Sequence, residues 1–169
     1  DPLDGTGEFI AGSGDFATLI ALVRDNVPVL GVIYAPESDL LYWAVRGHGA
    51  FKEANGESRP ISAIHHEHDQ PDSLVVAISR RQKLENLTRR LNPAINYELI
   101  PLGSSSLKSC LVAEGVADCY VRLGPTGEWD TAAAQCIVEA AGGRILSLAL
   151  QPLSYNETES LENPDFIVM

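Results

Sequence analysis

The first six residues, DPLDGT, place two carboxylates three positions apart, in Asp1 and Asp4. Pro2 restricts the backbone of the turn, and Gly5 permits a close approach of the backbone to a ligand. The Leu3 carbonyl lies between the two aspartates and can act as a third oxygen donor. Hard cations such as Mg²⁺ prefer ligands of this type. The motif therefore predicts a divalent-cation site, and the alternative is a capped turn with solvated aspartates.

A third aspartate stands in a Gly/Pro-rich turn that leads into a predicted helix. The segment reads GPTGEWDTAA, so Asp130 falls in the first helical turn. The helix dipole favours a carboxylate at that place, and a simple N-terminal helix acid is therefore the alternative to a ligand.

A small-residue loop, GSSSLK, opens another predicted helix and ends in Lys108. Backbone N–H groups and hydroxyls in such a loop can bind phosphate. Plain capping of the helix by a serine is the alternative.

The elements around these motifs change character along the chain. Apolar, β-branched runs separated by turn residues predict an antiparallel meander up to about residue 62, and a polar linker follows over 63–73. Strands and helices then alternate over 74–169. The predicted fold class is α/β (α+β), with a mainly antiparallel first half followed by a smaller α/β half. The predicted strands cover 16–23, 27–34, 40–45, 50–52, 74–78, 95–102, 117–123, 144–148 and 166–169, and the predicted helices cover 82–91, 104–115 and 129–141.

Composition excludes several classes of protein. The chain has 169 residues, of which 45% are hydrophobic and 21% charged, as in ordinary globular domains. No apolar run approaches the ~18–20 residues that cross a bilayer. A net charge of −11 opposes binding to nucleic acid. The three cysteines, Cys110, Cys119 and Cys136, form no CxxC pair, which predicts free thiols in a reducing cytosol.

The motifs together resemble a known family. DPLDGT followed by WDTAAAQCIVEAAGG resembles the Mg²⁺-dependent, lithium-sensitive inositol monophosphatase superfamily, and GSSSLKSCLVAEGVADCYVRLGPTGEWDTAA is most similar to its CysQ-type 3′(2′),5′-bisphosphate nucleotidases. The resemblance extends over essentially the whole chain. It implies a layered sugar-phosphatase-type sandwich in which residues 1–62 form the C-terminal part of a first α+β domain and 74–169 form an α/β domain.

The resemblance also implies a set of site residues. The metal ligands for two or three Mg²⁺ ions would be Asp1, the Leu3 carbonyl, Asp4 and Asp130, and Thr6 would orient the attacking water. The catalytic residues would be Asp1, Asp4, Thr6 and Asp130. The substrate-binding residues would be Gly5, Thr6, Ser79, Arg80, Gly103, Ser104, Ser105, Lys108, Arg122 and Asp130.

Three basic features indicate the substrate. Arg122 stands where inositol monophosphatases usually carry an acidic residue, Lys108 where they more often carry a neutral one, and Ser79-Arg80 follows the nucleotidase pattern. Guanidinium groups suit a second phosphate, which favours hydrolysis of adenosine 3′,5′-bisphosphate to AMP and phosphate. An inositol phosphate or sugar phosphate is the alternative substrate, and a surface salt bridge is the alternative role of Arg122.

The chain departs from the family pattern at its start. The family's upstream segment supplies a metal-binding glutamate and another acid, whereas this sequence opens at DPLDGT. We therefore expect an upstream segment of the natural protein to be absent, and a catalytically impaired binding fragment is the alternative to an enzyme. Gly7 also stands where a basic or polar residue is common.

The remaining expectations concern partners and location. The resemblance implies a small-molecule nucleotide bisphosphate as partner and a cytoplasmic location, with peripheral association at the cytoplasmic face of the inner membrane left open, as is a homodimer. The run His65-His66-Glu67-His68 lies in the polar linker, where solvated histidines are favoured over a metal site.

Overall fold

The computed structural model describes residues 1–64, 73–81 and 92–169. In this part of the chain, ten strands form two five-stranded sheets, and three helices accompany them. The mixed α/β class predicted from the sequence is confirmed. The elements are α1 (Thr6–Ala11), β1 (Thr18–Arg24), β2 (Val27–Ala35), β3 (Leu40–Val45), β4 (Ala50–Ala54), β5 (Glu57–Ile61), β6 (Ser73–Ser79), β7 (Asn96–Leu102), α2 (Ser105–Ala113), β8 (Cys119–Arg122), α3 (Glu128–Ala140), β9 (Ile145–Ser147) and β10 (Phe166–Val168).

The first sheet is an antiparallel meander in the order β1-β2-β3-β4-β5. Its tight turns contain residues that accept a positive φ, namely Asp25 (52°) and Asn26 (64°) between β1 and β2, and Asn55 (54°) and Gly56 (76°) between β4 and β5. Two consecutive left-handed residues suit the right-handed twist of a hairpin. The predicted meander is present, and it contains a fifth strand, β5, that the sequence pattern did not separate.

The second sheet has the order β7-β6-β8-β10-β9. Strand β6 pairs in parallel with both β7 and β8, whereas β10 pairs antiparallel to β8 and β9. Helix α2 follows β7 and helix α3 follows β8, so the serine loop and the Asp130 turn both begin where a strand of this sheet ends.

Helix α3 packs directly on strand β2. A Cβ atom added at Gly31 would collide with the Ala133 carbonyl and would lie 3.0 Å from Cys136 Cβ. The absence of a side chain at Gly31 therefore lets the helix touch the strand backbone. One hydrophobic core includes Ile33 of the first sheet, Ile137 of α3 and Phe166 of the second sheet. This packing fixes the position of Asp130, at the start of α3, relative to the first sheet.

Helix α1 was not predicted. It has only six residues, from Thr6 to Ala11, which is too short for an apolar helical period to be recognised. Cys110 and Cys136 are buried and Cys119 is half-buried, and all three are free thiols, as the sequence predicts.

Part of the predicted linker, with its run of histidines, and the predicted helix over 82–91 lie outside the described residues. The division at 62 and 74 stays a prediction. Within the described ranges, none of the helices combines the length and the apolar character needed to cross a membrane.

Candidate metal centre

Three aspartates that are far apart in the sequence meet in the structure. Asp1, Asp4 and Asp130 each offer one carboxylate oxygen, and these oxygens lie within 4.8 Å of one another. Asp4 is buried and the other two are half-buried, so the cluster lies at the edge of the interior. The two acidic motifs therefore converge, as their joint role in a metal site requires.

Local hydrogen bonds shape the DPLDGT turn. The Asp1 carboxylate accepts the N–H of Leu3 at 2.8 Å, and the Thr6 hydroxyl donates to the Leu3 carbonyl at 3.1 Å. Gly5 has a φ of 85°, and a Cβ there would lie 2.8 Å from the Asp15 carbonyl oxygen. Only glycine tolerates both the left-handed backbone and this close approach. The turn thus holds the Asp1 carboxylate against the Leu3 N–H and the Leu3 carbonyl against the Thr6 hydroxyl.

Strand β1 and the residue before it, Ala17, anchor the same turn. Asp4 N–H donates to the Ala17 carbonyl at 2.9 Å, and Ala17 N–H donates to the Asp4 carbonyl at 3.0 Å. Leu19 N–H donates to the Asp1 carbonyl at 2.7 Å. The first and second aspartates are therefore held to the sheet on which α3 packs.

The serine loop binds the Asp4 carboxylate. Ser106 donates to Asp4 Oδ2 through its backbone N–H at 3.0 Å and through its hydroxyl at 2.6 Å, and the Ser104 hydroxyl donates to the same oxygen. Ser104 also accepts Leu107 N–H at 3.1 Å, so it caps α2 as well. Ser104 and Ser106 are fully buried. Ser106 was missed from the sequence, because three consecutive serines do not indicate which hydroxyl faces Asp4.

Asp130 lies in the first turn of α3, as predicted. Its Oδ2 accepts the N–H of Gly127 at 2.8 Å, which caps the helix start. Burial raises the pKa of Asp130 above its usual value, the Gly127 hydrogen bond opposes this shift, and the neighbouring Asp4 carboxylate adds to it. Carboxylates gathered in this way repel one another, and a cation between them removes the repulsion. An all-oxygen donor set fits Mg²⁺.

Lys108, which the sequence predicts to bind substrate, lies in the interior behind the serine loop, and its substrate role stays a prediction. Its side chain is 1% exposed, and Nζ donates to the carbonyls of Leu102 (3.2 Å), Gly103 (2.7 Å) and Ser104 (2.6 Å). All three ammonium protons therefore have backbone partners. Burial lowers the pKa of Lys108 to about 8, and the Asp4 carboxylate opposes this shift.

Arg122 and Ser105 lie next to this lysine, around Tyr120. The Ser105 hydroxyl is 3.0 Å from the hydroxyl of Tyr120, and Arg122 Nη2 donates to the Pro125 carbonyl at 3.2 Å. Arg122 Nε is buried and has no hydrogen-bond partner in the described part of the protein. A buried donor without a partner is costly, so this N–H group is suited to donate to an oxygen of a ligand.

Ser79 and Arg80 stand at the end of β6, beside the serine loop. Arg80 Nε contacts Asp15 Oδ2 at 3.0 Å, and the same oxygen accepts Gly103 N–H at 2.8 Å. The Ser79 hydroxyl accepts Arg81 N–H at 3.3 Å. Arg80 is thus next to the loop, with its Nε engaged by a carboxylate.

Glu8 and Arg81 form a further contact that the sequence did not indicate. Arg81 Nε donates to Glu8 Oε1 at 2.7 Å and Nη2 donates to the Gly7 carbonyl at 2.5 Å. The hydrogen bond from Ser13 and the charge of Arg81 lower the pKa of Glu8. A Cβ at Gly7 would lie 2.5 Å from Arg81 Nη1, so the guanidinium occupies the space of a residue-7 side chain. Only spatial proximity reveals this pairing, because 73 positions separate Glu8 from Arg81.

Comparisons with known proteins show what this chain is similar to. The inositol monophosphatase family matches residues 1–165. A 3′(2′),5′-bisphosphate nucleotidase CysQ from Aggregatibacter actinomycetemcomitans is 45% identical over 168 residues, which are 99% of this chain and 62% of that protein. The corresponding protein of Escherichia coli K12 is 43% identical over 99% of this chain and 65% of its own length. The chain thus spans less than two thirds of the length of these relatives.

The fold of a solved structure is also similar to that of this chain. The crystal structure of CysQ from Bacteroides thetaiotaomicron, described as a bacterial member of the family, superposes with a TM-score of 0.87 at 41% identity. The superposition covers 99% of this chain and 67% of that one.

Proposed function

Because this chain belongs to the inositol monophosphatase family, we propose that it carries the aspartate cluster of a Mg²⁺-dependent phosphomonoesterase. Enzymes of this family are metal-dependent and generally use Mg²⁺. The observation that carries the proposal is the convergence of the Asp1, Asp4 and Asp130 oxygens within 4.8 Å.

The proposed ligands are the three aspartates and the Leu3 carbonyl, which together would hold two or three Mg²⁺ ions. When bound, such ions neutralise a phosphate and lower the pKa of a water molecule so that it can attack. The Thr6 hydroxyl donates to the Leu3 carbonyl at 3.1 Å, so these two proposed site residues are in direct contact. In the proposal, the exposed Thr6 and the Gly5 backbone contact the scissile phosphate and orient the water.

The proposed substrate is adenosine 3′,5′-bisphosphate, which water cleaves to AMP and inorganic phosphate. The buried Nε of Arg122, which lacks a partner among the described residues, supports a second phosphate near Asp130. Arg80 and Ser105 are the further proposed contacts to the nucleotide. The relatives named bisphosphate nucleotidases support this choice over an inositol phosphate or a sugar phosphate.

The test compares phosphate release from adenosine 3′,5′-bisphosphate and from inositol 1-phosphate, with and without Mg²⁺. We expect Mg²⁺-dependent release that favours the bisphosphate in a polypeptide that spans the full length of the relatives. Asp4→Asn and Asp130→Asn should each abolish turnover while the far-ultraviolet circular dichroism is unchanged. Full activity in either variant would refute the ligand assignment.

The same assay on the 169-residue chain tests the binding-fragment alternative. A metal site lacking one acidic ligand should still bind a divalent ion, with lower affinity. Binding of Mn²⁺ and nucleotide without release of phosphate would favour a binding fragment for this chain alone.

A further inference from the structure

We propose that Asn163 is a positioning residue for Asp130. Its backbone and side-chain amides hold the two peptide groups that precede helix α3, and one of these peptide groups binds the Asp130 carboxylate. The inference deepens the proposed function and rests on it, because it takes Asp130 to be a metal ligand. In this assignment Asn163 touches neither the metal nor the substrate.

The chain returns to the start of α3 just before strand β10. The Leu161 carbonyl accepts the N–H of Glu128 at 2.8 Å, and the N–H of Asn163 donates to the Thr126 carbonyl at 2.8 Å. The first N–H groups of a helix have no partner within the helix, and Glu128 is the first residue of α3. The later segment therefore supplies a partner that α3 itself lacks.

The side-chain amide of Asn163 adds bonds on both sides of Asp130 in the sequence. Its Nδ2 donates to the Gly127 carbonyl at 2.7 Å and to the Thr131 hydroxyl at 3.0 Å. The Thr126 hydroxyl lies 3.4 Å from the same nitrogen. The Gly127 carbonyl also accepts the N–H of Asp130 at 2.9 Å, so both of its lone pairs are used. A carbonyl only accepts hydrogen bonds, which identifies the amide atom that faces it as the nitrogen.

The peptide group between Thr126 and Gly127 joins Asn163 to the Asp130 carboxylate. Its oxygen accepts the Asn163 N–H, and its own N–H donates to Asp130 Oδ2 at 2.8 Å. The next peptide group, between Gly127 and Glu128, is held by the Asn163 side chain. Because a peptide group is planar, fixing its carbonyl also fixes the direction of its N–H. The orientation of the Asp130 carboxylate therefore depends on Asn163, as a metal ligand depends on the groups behind it.

These bonds lie in the interior, where water does not replace them. Asn163 is 6% exposed and Thr131 is 1% exposed. The buried Tyr155 hydroxyl lies 3.2 Å from the Thr131 hydroxyl and donates to Gln135 Oε1 at 2.7 Å. Among the described residues, Tyr155 thus shares Thr131 with Asn163 but its hydroxyl does not bind the two peptide groups before α3. This difference makes Tyr155 a matched control.

The experiment compares Asn163→Leu with Tyr155→Phe in a polypeptide that spans the full length of the relatives. Leucine has nearly the shape of asparagine but no donor, so the packing is retained and the amide bonds are lost. We expect Asn163→Leu to weaken binding of Mn²⁺, measured by electron paramagnetic resonance, about tenfold, because the backbone bonds of the segment remain. The kcat at limiting Mg²⁺ should fall comparably, while the KM for adenosine 3′,5′-bisphosphate changes less than about threefold. Tyr155→Phe should lose thermal stability and retain the Mn²⁺ affinity.

A double variant tests the route through Asp130. Asp130→Asn alone should weaken Mn²⁺ binding, because it removes a charged ligand. Adding Asn163→Leu to Asp130→Asn should then change the Mn²⁺ affinity little, since the carboxylate that Asn163 orients is already absent. An effect of Asn163→Leu that is equally large in both backgrounds would show that it acts elsewhere in the fold, and would overturn the proposal.

The other outcomes separate the Asn163 role from the proposed function. Unchanged Mn²⁺ affinity in Asn163→Leu, or an equal loss in Tyr155→Phe, overturns the Asn163 assignment alone, and so does a raised KM with unchanged Mn²⁺ affinity. If Asn163→Leu does not fold, Asn163→Ser takes its place with the same expected loss of affinity, and failure of both to fold would assign Asn163 to folding and overturn the proposal. If Asp130→Asn binds Mn²⁺ as tightly as the unaltered protein, the proposed function fails, and the Asn163 role fails with it.

Discussion

Removal of the Ser106 hydroxyl should loosen Asp4 without changing the charge of the metal centre. In Ser106→Ala the Asp4 carboxylate loses the donor at 2.6 Å and retains the Ser106 N–H at 3.0 Å and the Ser104 hydroxyl. Ser106 is a cleaner target than Ser104, because Ser104 also caps α2 through Leu107 N–H. The substitution therefore removes one of the hydrogen bonds that Asp4 Oδ2 accepts, the one from the Ser106 hydroxyl.

The expected magnitude follows from the number of donors. A hydrogen bond to a charged group contributes about 1.5–3 kcal/mol. Since two of the three donors to Oδ2 remain, we expect the lower end of this range. A loss of about 1.4 kcal/mol is tenfold in affinity, and loss of an outer partner of a ligand usually costs about 10–100-fold. The expected result is Mn²⁺ binding weakened about tenfold, with a comparable fall in kcat.

The assay is titration with Mn²⁺, and the matched control is Ser109→Ala in the same helix. The Ser109 hydroxyl is also buried, but it donates to the Ser105 carbonyl at 3.2 Å and not to Asp4. Ser109→Ala should therefore lower the free energy of unfolding slightly and leave Mn²⁺ affinity unchanged. Equal Mn²⁺ affinities in Ser106→Ala and Ser109→Ala would refute the argument that the serine loop orients the ligand.

Three further predictions address the substrate, the packing and the pH response. Arg122→Ala should reduce kcat/KM for adenosine 3′,5′-bisphosphate about tenfold more than for a monophosphate, because it removes the buried Nε donor; equal losses in steady-state assays would contradict a second-phosphate role. Gly31→Ala should lower the free energy of unfolding by about 1–3 kcal/mol and reduce turnover, because the added methyl group pushes α3 and Asp130 away from β2. Wild-type stability in a urea titration, together with wild-type turnover, would show that α3 can move without a loss of folding free energy. The hydrogen bond from Ser13 and the contact with Arg81 lower the pKa of Glu8 in the folded state, so its contribution to stability is present above the usual value of 4.5 and is lost as the pH falls through the lower folded value. Glu8→Gln should therefore be less stable than wild type at neutral pH and should lose less stability in acid. Identical profiles of stability against pH for the two proteins would refute this contribution.

The sequence itself specified the features that depend on neighbouring residues. The hairpins were predicted because Asp25, Asn26, Asn55 and Gly56 accept the left-handed backbone that two-residue turns need. The opening motif was informative for the same reason, because Gly5 and the spacing of Asp1 and Asp4 belong to a single turn. Helix α1 was not predicted, because six residues are too few to show a helical period of apolar positions.

Tertiary structure decided which side chains of the motifs face the metal centre. Asp130 joins Asp4 because Gly31 lets α3 lie against β2, a contact between residues about a hundred positions apart. In the same way, Ser106 turned inward to Asp4, and the ammonium of Lys108, which the sequence suggested for a phosphate, turned to three backbone carbonyls. A local pattern shows which residue types are present, but the direction of a side chain depends on what packs around it, and that is determined only when distant segments come together.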